Sequence, residues 1–373
     1  MKQKILIFLV LFLLSFVPGY SQAPRHIRVA ILDNAKSLSL KAKGSYEVTD
    51  ISRKKILMQG NSLKTTVTVY RDAISLGKKS FKKNKIFIKT RDPDEIIING
   101  RTFRGDVELI KSDNSLLVVN YIELEDYIKG VLYHEASHYW PQEVLKAQAI
   151  ACRTYAIYQI QENRRKDYDV TNDIYSQVYG GRQSERYRTN NIVDETKGLI
   201  LKFKGKVFPA YYHATCAGHT EDASLLWNIN IMPLKGVACD FCKDSPHYDW
   251  HLVLSLEELK DKLAGAGYKV KAIKDIVILG RDNSDRVSEL NFILDNKELK
   301  IAAKDFRNII GPNLIRSTNF QVNIADKDAV FMGTGWGHGV GLCQWGAYFM
   351  AKQGHSFKEI LKYYYPGSNV ETF

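Results

Sequence analysis

Apolar and polar residues alternate with a period of two over much of residues 24–115, the signature of strands with one buried face. His26–Leu32, Tyr46–Val48, Lys55–Met58, Thr65–Tyr70, Ile86–Ile88 and Ile96–Ile98 are the predicted strands, separated by turn pairs such as Gly60-Asn61 and Asn99-Gly100. Around Ile86 and Ile88 the lysines Lys83, Lys85 and Lys89 take the opposite face, with Phe87 the one apolar exception. Leu116–Tyr121 is a buried strand, and beyond it the period becomes helical. Leu124, Tyr127, Ile128, Val131 and Leu132 share one face, with Glu123, Glu125 and Asp126 at the favourable N-terminal end. That helix is expected to stop near His134. A second begins at Pro141 and runs to about Gln161, with a small-residue stripe of Leu145, Ala149, Cys152 and Ala156 suited to close packing. Lys146 and Arg153 share another of its faces and are expected to point into a cleft.

Later segments mix both periods. Leu199–Phe203 and Val207–His213 read as a hairpin turning at Lys204-Gly205-Lys206. Helices are expected at Leu256–Ala264, Ala303–Ile310, Cys343–Lys352 and Ser356–Tyr364, and strands near Ile276–Leu279, Glu289–Leu294, Glu298–Ala302 and Ala329–Met332. The sum is an α+β (mixed α/β) protein, with a β-rich N-terminal region over 24–115 and one continuous body over 116–373.

Residues 1–21 depart from this pattern. Lys2 and Lys4 precede the apolar run Ile5–Val17, then Pro18, Gly19 and Ser21, the layout of a secretory signal peptide. The run is shorter than the roughly 20 apolar residues of a membrane span, so export is expected in preference to an N-terminal anchor. No cysteine ends the run, which argues against a lipid-attached protein. Export changes the meaning of the charge. The chain of 373 residues carries a formal net charge of +12, much of it within Lys41–Arg91. For an exported chain nucleic acid is not the expected partner, and anionic cell-surface polymer is; solvated lysines on strand faces account for the same charge without any partner.

Candidate chemistry is concentrated in a few places. Gly333–Ala347 (GTGWGHGVGLCQWGA) places Gly333, Gly335, Gly337, Gly339 and Gly341 at alternate positions, a costly composition unless the main chain bends sharply or approaches something closely. Trp336 and Trp345 offer flat stacking surfaces there, and His338 a proton carrier or metal ligand. Between the two helices lies Tyr133-His134-Glu135-Ala136-Ser137-His138-Tyr139-Trp140, where a carboxylate in aromatic surroundings is placed to have its pKa raised. Of the 5 cysteines, Cys152 reads as a buried, inert thiol.

Seven blocks in order along nearly the whole mature chain resemble the stage II sporulation protein D (SpoIID/LytB) family: LEDYIKGVLYHEAS, WPQEVLKAQAIACRTYA, YSQVYGG, ETKGLIL, AYYHATCAGHTEDASLLW, GWGHGVGLCQWGA and ILKYYYPGS. The resemblance implies a bacterial cell-wall enzyme, a lytic transglycosylase that cuts peptidoglycan glycan strands, in some members with preference for strands stripped of stem peptides. The family's catalytic glutamate falls on Glu135, although Ala136 and Ser137 stand where Met-Pro is usual. One acid suffices for this reaction, whereas glycoside hydrolysis needs two carboxylates. Tyr133, Lys146, Gln148, Arg153, Tyr155, Ser176, Gln177, Trp336, His338 and Gln344 are the expected substrate contacts, with Tyr133, Tyr139 and Trp140 supplying desolvation.

The same resemblance implies a structural zinc site near HATCAGHTED. His213, Cys216, Cys239 and Cys242 are the expected ligands, with His219 competing and a Cys239–Cys242 or Cys216–Cys239 disulfide as the alternative. A second reading of the family, a non-catalytic wall-binding protein that stimulates an amidase, uses the same cleft. A zinc hydrolase centred on His213 and Cys216 is weaker, because cysteine-rich sites tend to be closed.

Overall fold

The computed structural model describes residues 25–90, 96–295 and 297–373, so the predicted signal peptide 1–21 lies outside the described residues. The N-terminal strands form one large sheet. Its order runs from Val170–Thr171 through His26–Ala35, Ser115–Glu123, Asp106–Ser112, Lys85–Thr90, Ser37–Thr49, Ile56–Tyr70 and Ala73–Leu76 to Lys79–Phe81. Ile96–Ile98 joins beside Ser37–Thr49, and Arg101–Phe103 beside Ile96–Ile98. Period-two patterning is what buries one face: Leu38, Leu40 and Ala42 are inside while the residues between them are exposed. Phe87, the exception in its strand, is buried beneath the Arg53 guanidinium, whose Cζ is 4.0 Å from the ring centroid.

Among the described residues eight α-helices follow in chain order: α1 (Leu124–Glu135), α2 (Gln142–Glu162), α3 (Tyr187–Glu195), α4 (Ala223–Trp227), α5 (Leu256–Gly265), α6 (Ala303–Ile310), α7 (Gln344–Lys352) and α8 (Phe357–Tyr364). The chain enters α1 directly from the strand Ser115–Glu123, with Glu125 and Asp126 in the first turn, and leaves it where Ala136 turns extended. Helix α2 is apolar nearly all round and is therefore buried nearly all round. Leu145, Ala149, Cys152 and Ala156 face the core under the large sheet, while Val144, Ala147, Ile150 and Ala151 face a second core built with α7 and α8. Small side chains let this helix serve both cores. Cys152 is enclosed there, and burial pushes its thiol up to about 12, as an inert cysteine requires.

The predicted hairpin ends early. Of the predicted second strand only Lys206–Val207 pairs with Leu199–Phe203, because Pro209 offers no N–H to continue the ladder, and Asn369–Thr372 takes the other edge. Tyr212–His213 instead runs parallel to Leu342–Cys343. A third core, around Trp250, Leu259, Phe292, Phe306 and Phe331, lies between two three-stranded sheets: Asp249–Ser255, Asp328–Thr334 and Phe320–Ala325, and Ile273–Arg281, Val287–Leu294 and Glu298–Ala302.

The glycine segment both bends and makes close approaches. It lies along Tyr211–Ala217, and a Cβ on Gly341, where φ is +74°, would stand 2.0 Å from the Tyr211 carbonyl oxygen. Gly341→Ala is therefore expected to lower stability by about 2–4 kcal/mol through strain and displacement together. Denaturant unfolding checks it, and a midpoint equal to the parent's would refute this placement.

Candidate active site

Glu135 is the last residue of α1, at the helix end where the dipole disfavours an anion. It lines a groove of about 480 Å³ whose walls include Tyr155, Tyr175, Tyr211, Tyr212, Trp227, Trp336 and His338. Burial of the carboxyl is the dominant effect and raises its pKa to about 7; hydrogen bonds from the Val178 N–H, Tyr212 and Gln344 act in the opposite direction. The Val178 N–H donates to Oε1 at 3.0 Å. Among the described residues Glu135 is the only carboxylate that lines the groove.

Two hydrogen-bond chains fix this acid. In the first, the Tyr127 hydroxyl donates to Gln177 Oε1 at 3.1 Å, and Gln177 Nε2 donates to the Tyr212 oxygen at 3.0 Å, leaving the Tyr212 hydroxyl proton for Glu135. In the second, Gln344 Nε2 donates to the Glu135 backbone carbonyl at 2.9 Å and to Gln148 Oε1 at 3.4 Å, while Gln148 Nε2 donates to Cys152 Sγ. Gln148 and Gln177 are almost fully buried and hold the residues around the acid instead of facing the groove.

The expected contacts thus divide. Tyr155, Ser176, Trp336, His338 and Gln344 line the groove with Glu135. Five do not: Gln148 and Gln177, already placed, and Arg153, Lys146 and Tyr133. Arg153 is buried and forms a two-pronged ion pair with Glu125, at 2.9 and 2.8 Å, while also donating to the Leu199 carbonyl at 3.0 Å. Lys146 pairs with Glu195 at 3.2 Å and Glu143 at 3.5 Å. Tyr133 packs under Arg186, whose Cζ is 4.2 Å from the ring centroid. The cleft expected beside Lys146 and Arg153 is closed because α2 is covered on both flanks. The aromatic rings beside the acid are also not the expected ones: Tyr139 is largely exposed and Trp140 packs edge-on against Trp345, whereas Tyr155, Tyr211 and Tyr212 line the groove with Glu135. Tyr212 went unnoticed in the sequence, though it stands beside His213 in a quoted block.

His213 and His338 line the same groove with ring centroids 5.8 Å apart. Burial lowers the His213 pKa to about 3, and burial, then His213 and the nearby arginines, hold His338 well below its usual value, so both are neutral. His213 Nδ1 bonds the Val340 carbonyl, and its buried Nε2 has no partner among the described residues.

The cysteine centre differs from the expected one. Cys216, Cys239, Cys242 and Cys343 bring their sulfurs within 4.8 Å of one another, all buried, and no disulfide joins them among the described residues. Cys343 takes the place assigned to His213, whose ring turns toward the groove. His219 is drawn off by the Thr220 carbonyl, 2.6 Å from Nδ1. A tetrahedral ion with Zn–S bonds near 2.3 Å needs sulfurs about 3.8 Å apart, and Cys216 and Cys242 lie 3.5 Å apart. Cys343 Sγ also accepts the N–H groups of Cys216 and Gly346, at 3.3 and 3.4 Å. Hydrogen bonds from the other thiols hold Cys242 far below the usual thiol range. These residues fit a closed metal centre.

The family described as stage II sporulation protein matches residues 112–203, and a domain of unknown function (DUF8618) matches residues 235–341. An uncharacterized protein of Brachyspira hyodysenteriae is 36% identical over 93% of each chain. Stage II sporulation protein D of Bacillus amyloliquefaciens is 32% identical over 68% of this chain and 75% of its own length. The amidase enhancer of Bacillus subtilis is 28% identical over 66% of this chain, which spans 40% of that protein. The chain belongs to the stage II sporulation protein D family.

Proposed function

We propose that this protein is an exported enzyme of the cell envelope that cleaves peptidoglycan glycan strands by lytic transglycosylation at the bond from N-acetylmuramic acid to N-acetylglucosamine. The observation that supports it best is one carboxyl, protonated near neutrality, alone among neutral and cationic groups in an aromatic groove. Aromatic faces such as Trp336 and Trp227 suit sugar rings. Glu135 gives its proton to the glycosidic oxygen as the C1–O bond breaks, and positive charge develops at C1. The carboxylate left behind then takes the proton of the C6 hydroxyl as O6 closes onto C1. The product is a 1,6-anhydro end, no water is consumed, and Glu135 is again protonated. Tyr212 and the Val178 N–H stabilise the anion between the two transfers.

Zinc, held by Cys216, Cys239, Cys242 and Cys343, is proposed as a structural ion. Each ligand position is filled by protein, so it would supply rigidity and no open site for chemistry.

A second reading, a strand-binding enhancer of an amidase, draws on the relative of that name. Digestion of purified peptidoglycan separates the two: anhydro-ended fragments, one water lighter than hydrolytic products, are expected in the mass spectrum. Their absence with strand binding retained favours the enhancer. Cleavage is expected to decline as pH rises through about 7, because the acid must carry its proton. A rate that instead rises across that interval would contradict Glu135 as the acid.

A further inference from the structure

One wall of the groove comes from residues outside the segment that matches the sporulation family. Lys304, Arg307 and Asn308 of α6, with Pro312, Asn313 and Thr318 after it, face the groove that Glu135 lines. The same stretch falls within residues 235–341, matched by the domain of unknown function. Arg307 is the unusual member. Its Nε donates to the Arg316 carbonyl at 3.3 Å and Nη2 to the Pro312 carbonyl at 3.4 Å. Among the described residues no carboxylate pairs with it, and none pairs with Lys304, whose Nζ donates to the Leu226 carbonyl at 3.0 Å. Burial, with Arg286 nearby, lowers the Arg307 pKa to about 10, still far above neutrality. A guanidinium that is largely desolvated and lacks a counter-ion is costly, so proteins seldom keep one without a use. The other titratable groups of the groove do not form an ion pair with it: His213 and His338 are uncharged, and Glu135, with its pKa raised to about 7, keeps about half its proton at neutrality.

We propose that Arg307, with Lys304 beside it, is a carboxylate-binding subsite that takes an acidic group of the glycan strand. The subsite rests on the glycan-strand reading of the groove. A planar guanidinium with a free edge matches a carboxylate, which no neutral sugar substituent offers. Peptidoglycan presents this chemistry in two places, the lactyl group of a peptide-free N-acetylmuramic acid and the acids of a stem peptide.

Binding of soluble strands to the full chain carrying Glu135→Gln, so that none is consumed, tests it by calorimetry. The strands are peptide-free, peptide-free with the lactyl acids reduced to alcohols, or peptide-bearing. Arg307→Gln is expected to weaken binding of acid-bearing strands about tenfold, as loss of a charge-assisted hydrogen bond does. Reducing the acid should weaken binding to the Arg307 protein equally, with no further loss in Arg307→Gln. Arg307→Lys should recover part of the affinity, and Lys304→Gln, at an exposed residue, should show the same pattern more weakly. A loss confined to peptide-free strands assigns the lactyl acid, and one confined to peptide-bearing strands assigns the peptide acids. Equal affinity of native and reduced strands, or an Arg307→Gln loss that ignores the acid, overturns the subsite, and thermal unfolding of each variant detects general collapse. Because the readout is binding, a parent that binds acid-bearing strands yet releases no anhydro product refutes the transglycosylase reading alone.

Discussion

Replacing Glu135 with glutamine is expected to lower kcat for strand cleavage by at least about 100-fold, the usual contribution of a positioned general acid, while strand affinity stays within about twofold. Glutamine keeps the shape and can still accept from the Val178 N–H, but it carries no transferable proton. The same variant should be more stable than the parent in alkaline buffer. Glu135 is raised from an ordinary carboxyl value to about 7 in the folded chain, so the folded state binds the extra proton more tightly than the unfolded one. Its favourable contribution is complete below about 4.5 and is lost as pH rises through about 7. Above that, ionisation of the buried carboxyl costs about 1–3 kcal/mol, allowing for its partial exposure, and the glutamine escapes this. Melting temperatures of parent and variant should therefore diverge between pH 5 and pH 8. Unchanged cleavage in Glu135→Gln would remove the mechanism, and parallel melting curves would show that the carboxyl is not desolvated.

Much of the fold was legible because local pattern and tertiary demand agree. The α1 face beginning at Leu124, helix α6 at Ala303–Ile310 and most of the period-two strands occur where residue spacing placed them, but the turn expected at Gly60-Asn61 does not form: Ile56–Tyr70 is one strand, with Gly60 paired to Tyr46 across the ladder. The upward shift at Glu135 was expected from Tyr133, Tyr139 and Trp140, whereas the rings that line its groove are Tyr155, Tyr211 and Tyr212. The substrate face of α2 was misread, since a helix buried on nearly every side shows no polar stripe to orient it, and Arg153 looks equally suited to a cleft or to Glu125. Cys343 was overlooked as a member of the sulfur cluster because it lies 101 residues beyond Cys242, and its segment reaches Cys216 through tertiary pairing, His213 with Cys343, Thr215 with Trp336 and Glu221 with Val340. The cationic wall was invisible for the same reason. Nothing along the sequence indicates that α6 will face a glutamate in α1.

Substituting a cysteine of the cluster should damage folding and catalysis together. The purified protein is expected to contain one zinc ion per chain, with Cys216, Cys239, Cys242 and Cys343 protected from thiol reagents until a chelator is added. Cys242→Ser should cost on the order of 4 kcal/mol or more, in the range reserved for loss of a metal or a buried network. The effect should reach the groove by two short routes, one covalent and one through strand pairing. Gln344, which holds the Glu135 carbonyl, follows Cys343 directly, and Tyr212, which bonds the Glu135 carboxyl, pairs with Leu342 just before it. The cluster also ties the glycine segment to Cys216 and to the turn carrying Cys239 and Cys242, so its loss frees every wall that carries Trp336 and His338. Cys152→Ser serves as the control: its buried thiol lies outside the cluster, and metal content should not change. Protein that is fully active without bound metal, with paired sulfurs and no free thiols in the cluster, would show that an oxidised bridge performs this task and that zinc has no part in it.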